Sequence, residues 1–205
     1  MIKSKIQAKL RYPVGIIIKN IDWLSLNCKI PEYLYLQKKN FKDTDYFSRF
    51  SSYYKLRFFK KNNISQKKYF ELLIDMESTG DTNFSKAYQI LSKIAEVSQL
   101  SYTSKLIATI DPAWSVVDAH VLYNLSIYRP YIKNKTARNE KDLEIYSEAN
   151  TFIAQLCKHK DGKVLLKAFD SKTKAIRGAK GINKVKKIDF MLWKFSKKNL
   201  KSNSI

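Results

Sequence analysis

Glycine is scarce in this chain. Only five of 205 residues are glycine, and no Walker-type loop or G-x-G-x-x-G turn is present, which excludes the nucleotide cradles built on such turns. Two cysteines, Cys28 and Cys157, and two histidines, His120 and His159, supply neither the paired spacing of a zinc site nor the four thiolates of an iron–sulfur cluster. They also make no disulfide framework, which fits a reducing cytoplasm. No Ser-His-Asp order stands out. No apolar run approaches the about 20 residues of a membrane-spanning helix, and the Pro13–Ile18 run is too short for a secretory leader and lacks a cleavage pattern. These absences lead us to expect a cytoplasmic monomer that uses no cofactor, no metal and no membrane.

Acid is the other shortage. Eighteen Asp and Glu stand against 39 Lys and Arg, a net charge of +21. A field of that size favours polyanions through counterion release, so DNA, as duplex, is the expected partner. Only six of the 39 are arginine. Lysine-rich composition with abundant Asn, Ile and Tyr also arises from AT-rich coding, so the charge has a second explanation.

What remains is a folding composition, 44% hydrophobic and 13% aromatic, long enough for one domain or two small lobes. Helical spacing of apolar residues runs almost throughout and predicts an all-α fold, two helical lobes with a cleft near residues 100–125. The first helix is expected over Val14–Leu26, although Ile16-Ile17-Ile18 also permits a strand. Pro31 and the Lys38-Lys39-Asn40 cluster mark a loop. Tyr46, Phe47, Phe50, Tyr54, Leu56 and Phe58 form an aromatic stripe better read as core than as base-stacking surface. Further helices are expected from Ser65 to Gly80, from Asn83, from about Lys141 to Lys160 with His159 in its last turn, and from Lys184 to Lys198.

The stretch from Leu100 to Leu125 carries the candidate chemistry. Ser101-Tyr102-Thr103-Ser104 reads as a polar turn, Lys105 heads a short apolar segment, and Asp111-Pro112 closes it. Asp118 follows Val116-Val117, and His120 opens the next run. A carboxylate among apolar neighbours loses hydration and needs a partner or a task. Its plain alternative is capping the helix that follows, and that of Lys105 is a solvated helical lysine.

The VVDAHV stretch resembles the VDxH segment of the helix-hairpin-helix DNA glycosylases, the endonuclease-III and 8-oxoguanine glycosylase superfamily. The resemblance implies a two-lobed helical fold that flips and excises a damaged base, with Asp118 as the catalytic aspartate and Lys105 as the lysine nucleophile of bifunctional members. Two features depart from that pattern: the hairpin glycines are absent between Leu100 and Lys105, and Lys105 lies only 13 residues before Asp118. A degenerate, non-catalytic nucleic-acid-binding or interaction module is therefore the other reading. A second similarity, to uncharacterised bacterial proteins with an SKL…P…D…V core and a KKIDFxLW tail (Lys186–Trp193), implies no activity.

On the superfamily reading, Ser101, Thr103 and Ser104 contact phosphates with Tyr102 and His120 beside them, and Trp114, Phe190 and Trp193 line the base pocket. Residues 171–205 hold eleven Lys or Arg and one acid, Asp189. They read as a packed helix with a basic face in which Lys186, Lys187 and Lys194 contact nucleic acid.

Overall fold

The computed structural model describes residues 8–56, 63–94 and 99–195. Among them helices form and no strand does, which gives the all-α fold expected from the periodicity. In chain order the helices are α1 (Val14–Lys19), α2 (Trp23–Leu36), α3 (Tyr46–Tyr53), α4 (Asn63–Thr79), α5 (Phe84–Ile94), α6 (Leu100–Ile110), α7 (Ala119–Asn124), α8 (Lys135–Leu156), α9 (Lys160–Lys172) and α10 (Lys184–Lys194), with a 3-10 turn at Ala179–Gly181.

The single helix expected over Val14–Leu26 is two. Asn20 folds its side-chain amide back to the Ile16 carbonyl, Ile21 pairs with Phe195 in a lone antiparallel bridge, and Asp22 restarts the helix by accepting from the Ser25 amide at 2.9 Å. Pro31, expected in a loop, lies inside α2. A proline there costs roughly 3 kcal/mol, but Leu26, Ile30, Tyr33 and Leu36 form a buried stripe along this helix, and tertiary packing outweighs the local penalty. His159 is also displaced from its expected place. It caps the start of α9, with Nδ1 accepting from the Asp161 amide, because α8 ends at Leu156. Gly162 is required there: a Cβ at that position would sit 1.6 Å from the Leu156 carbonyl oxygen.

Helix α10 is the hub, packing against α1, α2, α7, α8 and α9. Its residues from Lys186 to Leu192 are all buried, the pattern of a helix enclosed on every side. The middle helices α4, α5 and α6 pack on one another, and α6 also packs on α8. The aromatic stripe is core, as expected: Tyr46, Phe50, Tyr54 and Leu56 are buried and Phe47 is half-buried, with Phe50 and Phe70 in edge contact. Phe58 and the end of the basic tail, residues 196–205, lie outside the described residues.

Candidate functional site

A cleft of about 610 Å³, including its open mouth, lies where the end of α3, the middle of α6, the start of α7 and α10 meet. Tyr53, Tyr54 and Lys55 form one wall, and Lys105 projects from a second. Val116, Asp118, His120 and Val121 form the third, while α10 contributes Lys186, Asp189, Phe190 and Trp193. Lys105, Asp118, His120, Lys186, Phe190 and Trp193, all proposed from sequence, are thus neighbours of one space.

The local structure around Lys105 differs from the expected turn. Residues 101–104 are the first turns of α6, so Lys105 sits mid-helix and not at a helix head. Its amine donates to the Tyr54 carbonyl at 3.0 Å and lies 5.5 Å from the centre of the Tyr102 ring. Tyr54 stands at the C-terminus of α3, which Lys55 closes in the left-handed region at φ 52°. The Leu56 amide returns to Ser51 and the Lys55 amide to Ser52. Those bonds satisfy two orphan carbonyls and leave that of Tyr54 aimed at a cation. Burial holds the Lys105 amine below the ordinary lysine value. Asp118 opposes the shift, and Lys186 and Lys55 add to it. A desolvated amine beside other cations sheds its proton more readily, which is how lysine becomes a nucleophile.

Asp118 caps α7. Its Oδ1 accepts from the His120 amide at 2.9 Å and the Val121 amide at 3.1 Å, leaving Oδ2 as the second acceptor of the carboxylate. The extended segment leading to it is clamped by three buried side chains from three helices. Asn150 on α8 accepts from the Ser115 amide (2.8 Å), Asp189 on α10 from the Val116 amide (3.3 Å), and Ser104 on α6 from the Val117 amide (2.9 Å). The Ser104 hydroxyl is one residue from Lys105, so a single hydrogen bond fixes the two candidate residues relative to each other.

Three lysines assigned to a basic surface fare differently. Lys186 and Lys187 are 2% and 5% exposed and do not form a solvated face, because α10 is enclosed. Lys186 pairs with Asp189 beneath the cleft and lies 5.2 Å from the centre of the Phe190 ring. Burial alone would lower its amine, but the adjoining carboxylate reverses this and keeps it a cation. Burial pushes the Asp189 carboxyl up, against the pull of Lys186 and the Val116 amide. Lys187 binds Asp170 at 2.7 Å and the Lys180 carbonyl. Lys194 is half-buried, donates to the Ser25 hydroxyl and rests on Trp193.

The proposed phosphate contacts are corrected in part. Thr103 and Ser104 are fully buried, and Ser104 is spent on Val117, because their helix faces inward. Ser101 and Tyr102 remain half-buried, with Ser101 beside a depression on the other side of Asp118. Trp114 is not in the cleft: it stacks on Tyr146 with ring centres 6.0 Å apart. His120 is exposed at the cleft mouth. Cys28 and Cys157 are both free thiols, and among the described residues no group of three His, Cys, Asp or Glu is placed to hold a metal.

Asp189 is the residue that sequence reading passed over as a lone acid in a basic tail. It lies between Ile188 and Phe190 with Lys186 three positions earlier, the same signal of an acid in an apolar run that drew attention to Asp118. Asn150 and the backbone of Tyr54 carry no such signal. No protein-family model, curated protein or solved structure matches this chain.

Proposed function

We propose that this protein binds DNA and acts on a nucleotide turned out of the helix, as a base-excising glycosylase with a lyase step. The observation that carries the reading is the Lys105 amine, held below its ordinary pKa, on one wall of a cleft whose other wall bears the Asp118 carboxylate. Phe190 and Trp193 in the cleft wall offer aromatic surface to a base. The net charge of +21 supplies the attraction for a phosphate backbone.

In this chemistry the neutral Lys105 amine attacks the sugar carbon C1′. The new C–N bond forms as the glycosidic bond breaks, and the base departs with the bonding pair and takes up a proton. Asp118 stabilises positive charge building on the sugar and accepts the proton lost by the amine. The sugar ring then opens: O4′ leaves with its bonding pair and takes the proton held by Asp118 as the nitrogen lone pair closes to a protonated imine, which borohydride reduces to a stable amine. Incubating the chain with duplexes bearing a panel of lesions under borohydride tests this. A covalent adduct is expected for the wild type and none for Lys105→Gln, with DNA affinity nearly intact; Asp118→Asn slows base release. An adduct that survives Lys105→Gln assigns the work to another amine and sinks this site.

A second reading, a nucleic-acid-binding module without chemistry, is favoured by the structural duties of the same two residues. Lys105 satisfies the end of α3, and Asp118 satisfies the start of α7. DNA binding with no adduct on any lesion decides for this second reading.

A further inference from the structure

Beyond the cleft, the loop after α7 has a feature that folding does not account for. Tyr128 and Tyr131 are 79% and 85% exposed. Among the described residues they are the only exposed Phe, Tyr or Trp side chains, whereas the other aromatics are buried or half-buried. One exposed aromatic is ordinary. Two within four residues, on a segment that is otherwise firmly held, are not.

The holding is specific. Helix α7 ends with Ser126 in the left-handed region, φ 54°, and the Ile127 amide returns to the Leu122 carbonyl, which seats Ile127 in the core. Arg129 then reaches inward to Asp142 on α8 with two bonds, Nε to Oδ1 at 2.7 Å and Nη2 to Oδ2 at 2.9 Å. Tyr88 donates to the same carboxylate. A bidentate pair on a buried acid fixes the guanidinium plane, and Pro130 fixes the backbone beside it. Both tyrosines therefore project from a backbone pinned between them, so presenting their faces to a ligand costs little ordering.

Along the chain the charge around the two tyrosines has one sign. Between Asp118 and Glu140 there is no acid, and Lys133, Lys135 and Arg138 follow the tyrosines. On the other side, residues 9–11 run alongside α7, with backbone bonds from Lys9 to Leu125 and Arg11 to Asn124. Arg11 lies exposed over the Tyr123 ring. Tyr128 and Arg11 border a depression that also contains Asp118, so the shelf and the cleft adjoin across that residue.

We propose that residues 126–135 form a stacking shelf for the bases of single-stranded DNA, with Lys133 and Lys135 on its phosphates. This extends the DNA-binding reading above and rests on it, but needs none of its chemistry. Exposed rings interleaved with cations suit an unpaired strand, whose bases offer free π faces; a duplex keeps those faces covered. A strand lying across Tyr128 passes Asp118 and reaches the cleft mouth.

The test is fluorescence anisotropy of the full chain with labelled oligothymidylate, a duplex of the same length, and an RNA oligomer, across a salt series. Tyr128→Ala/Tyr131→Ala is expected to weaken single-strand binding about tenfold or more and leave duplex binding within about twofold. Tyr128→Phe/Tyr131→Phe, which keeps the rings, should restore wild-type affinity. Lys133→Gln/Lys135→Gln should lower the single-strand salt slope by about 1.4, two phosphate contacts' worth. Unchanged single-strand affinity in the alanine pair, or an equal loss on duplex, overturns the shelf while the DNA-binding reading stands. Tighter binding of RNA than DNA overturns the assignment to DNA. A wild type that binds neither strand form takes down both.

Discussion

Two irregular segments flank the short helix α7, and they are treated in opposite ways. Before it, residues 115–117 are buried, and each amide is taken up by a side chain from a different helix. After it, residues 128–131 are anchored by Arg129 with Pro130 beside it, and both tyrosines point to water. A helix of six residues cannot sustain itself, so tertiary contacts must fix where its first carboxylate sits. The upstream clamp does that for Asp118. The downstream segment is held only as far as needed to present its side chains. The hydrogen bonds are thus concentrated on the side of the helix that sets Asp118 relative to Lys105, and exposure on the side proposed as a docking surface.

Breaking the clamp at its buried ion pair should have the largest effect. Lys186→Met leaves Asp189 buried without its cation, at a cost of about 3–5 kcal/mol. Urea unfolding should show a fall in midpoint at unchanged slope. Replacing both partners, Lys186→Met with Asp189→Leu, should recover most of that loss, because desolvating a buried pair consumes much of its Coulomb gain. The double variant still frees the Val116 amide. It should therefore fold well yet hold Asp118 less firmly, and a double variant as unstable as the single one would mean the pair organises more than its own charges.

Smaller losses are expected at the other two points of the clamp. Ser104→Ala strands the Val117 amide and Asn150→Ala strands that of Ser115, each costing about 1–3 kcal/mol as an unsatisfied buried donor. Amide hydrogen exchange should speed up at residues 115–121 in both variants, with α4 and α5 unaffected. Equal acceleration across the whole chain would show global destabilisation and no local clamp.

The Lys105 amine gives a pH signature. Its folded pKa lies below its ordinary value of 10.5, so the native state binds fewer protons than the unfolded chain between those two values. Below that window both states are protonated and the buried charge costs its full amount. As pH rises through the window the native amine deprotonates first and the cost shrinks. The stability difference between wild type and Lys105→Gln should therefore move in favour of the wild type as pH rises towards 10.5. Adduct formation, if Lys105 is the nucleophile, should rise with pH and reach half-maximum below 10.5. Lys55→Gln removes a cation that lowers the Lys105 value and should move that midpoint upward. A profile indifferent to Lys55 would place the titrating group elsewhere.

How much of this was legible in the sequence depended on which force fixed each feature. Helices written by apolar period, such as α5, were plain, and Gly80 closing α4 and Asn83 opening α5 followed from local backbone chemistry; α8, expected over about Lys141–Lys160, starts earlier at Lys135, where Asn134 caps it, and ends at Leu156. Bringing Lys105 and Asp118 to one cleft was legible because only a short helix and a proline turn separate them. The error over Lys186 and Lys187 came from reading charge as exposure. Their burial depends on Asp189, three positions along, and on Asp170 in another helix, and a charge count does not register such pairing. Thr103 and Ser104 were misplaced for a related reason: hydroxyls suggest a turn, yet inside this helix the Ser104 hydroxyl donates to the Ser101 carbonyl and accepts from the Val117 amide, and the Thr103 hydroxyl is turned into the core. Pro31 likewise shows tertiary packing overriding a local signal.

The smallest expected effect sharpens the contrast most. Tyr128→Ser/Tyr131→Ser should change unfolding free energy by no more than about 0.5 kcal/mol, since exposed side chains away from caps and cores are close to neutral. The prediction is demanding because tyrosine is large and apolar, and replacing two of them elsewhere in this protein, for instance Tyr46 and Tyr69 in the core, would cost several times more. Neutrality on thermal and urea unfolding would mean that the fold does not require the two rings. What keeps them must then be something outside the folded chain, and the downstream segment would be a docking surface in the sense argued above. A loss comparable to the clamp variants would show that the rings pack in solution, and the contrast between the two flanks of α7 would collapse.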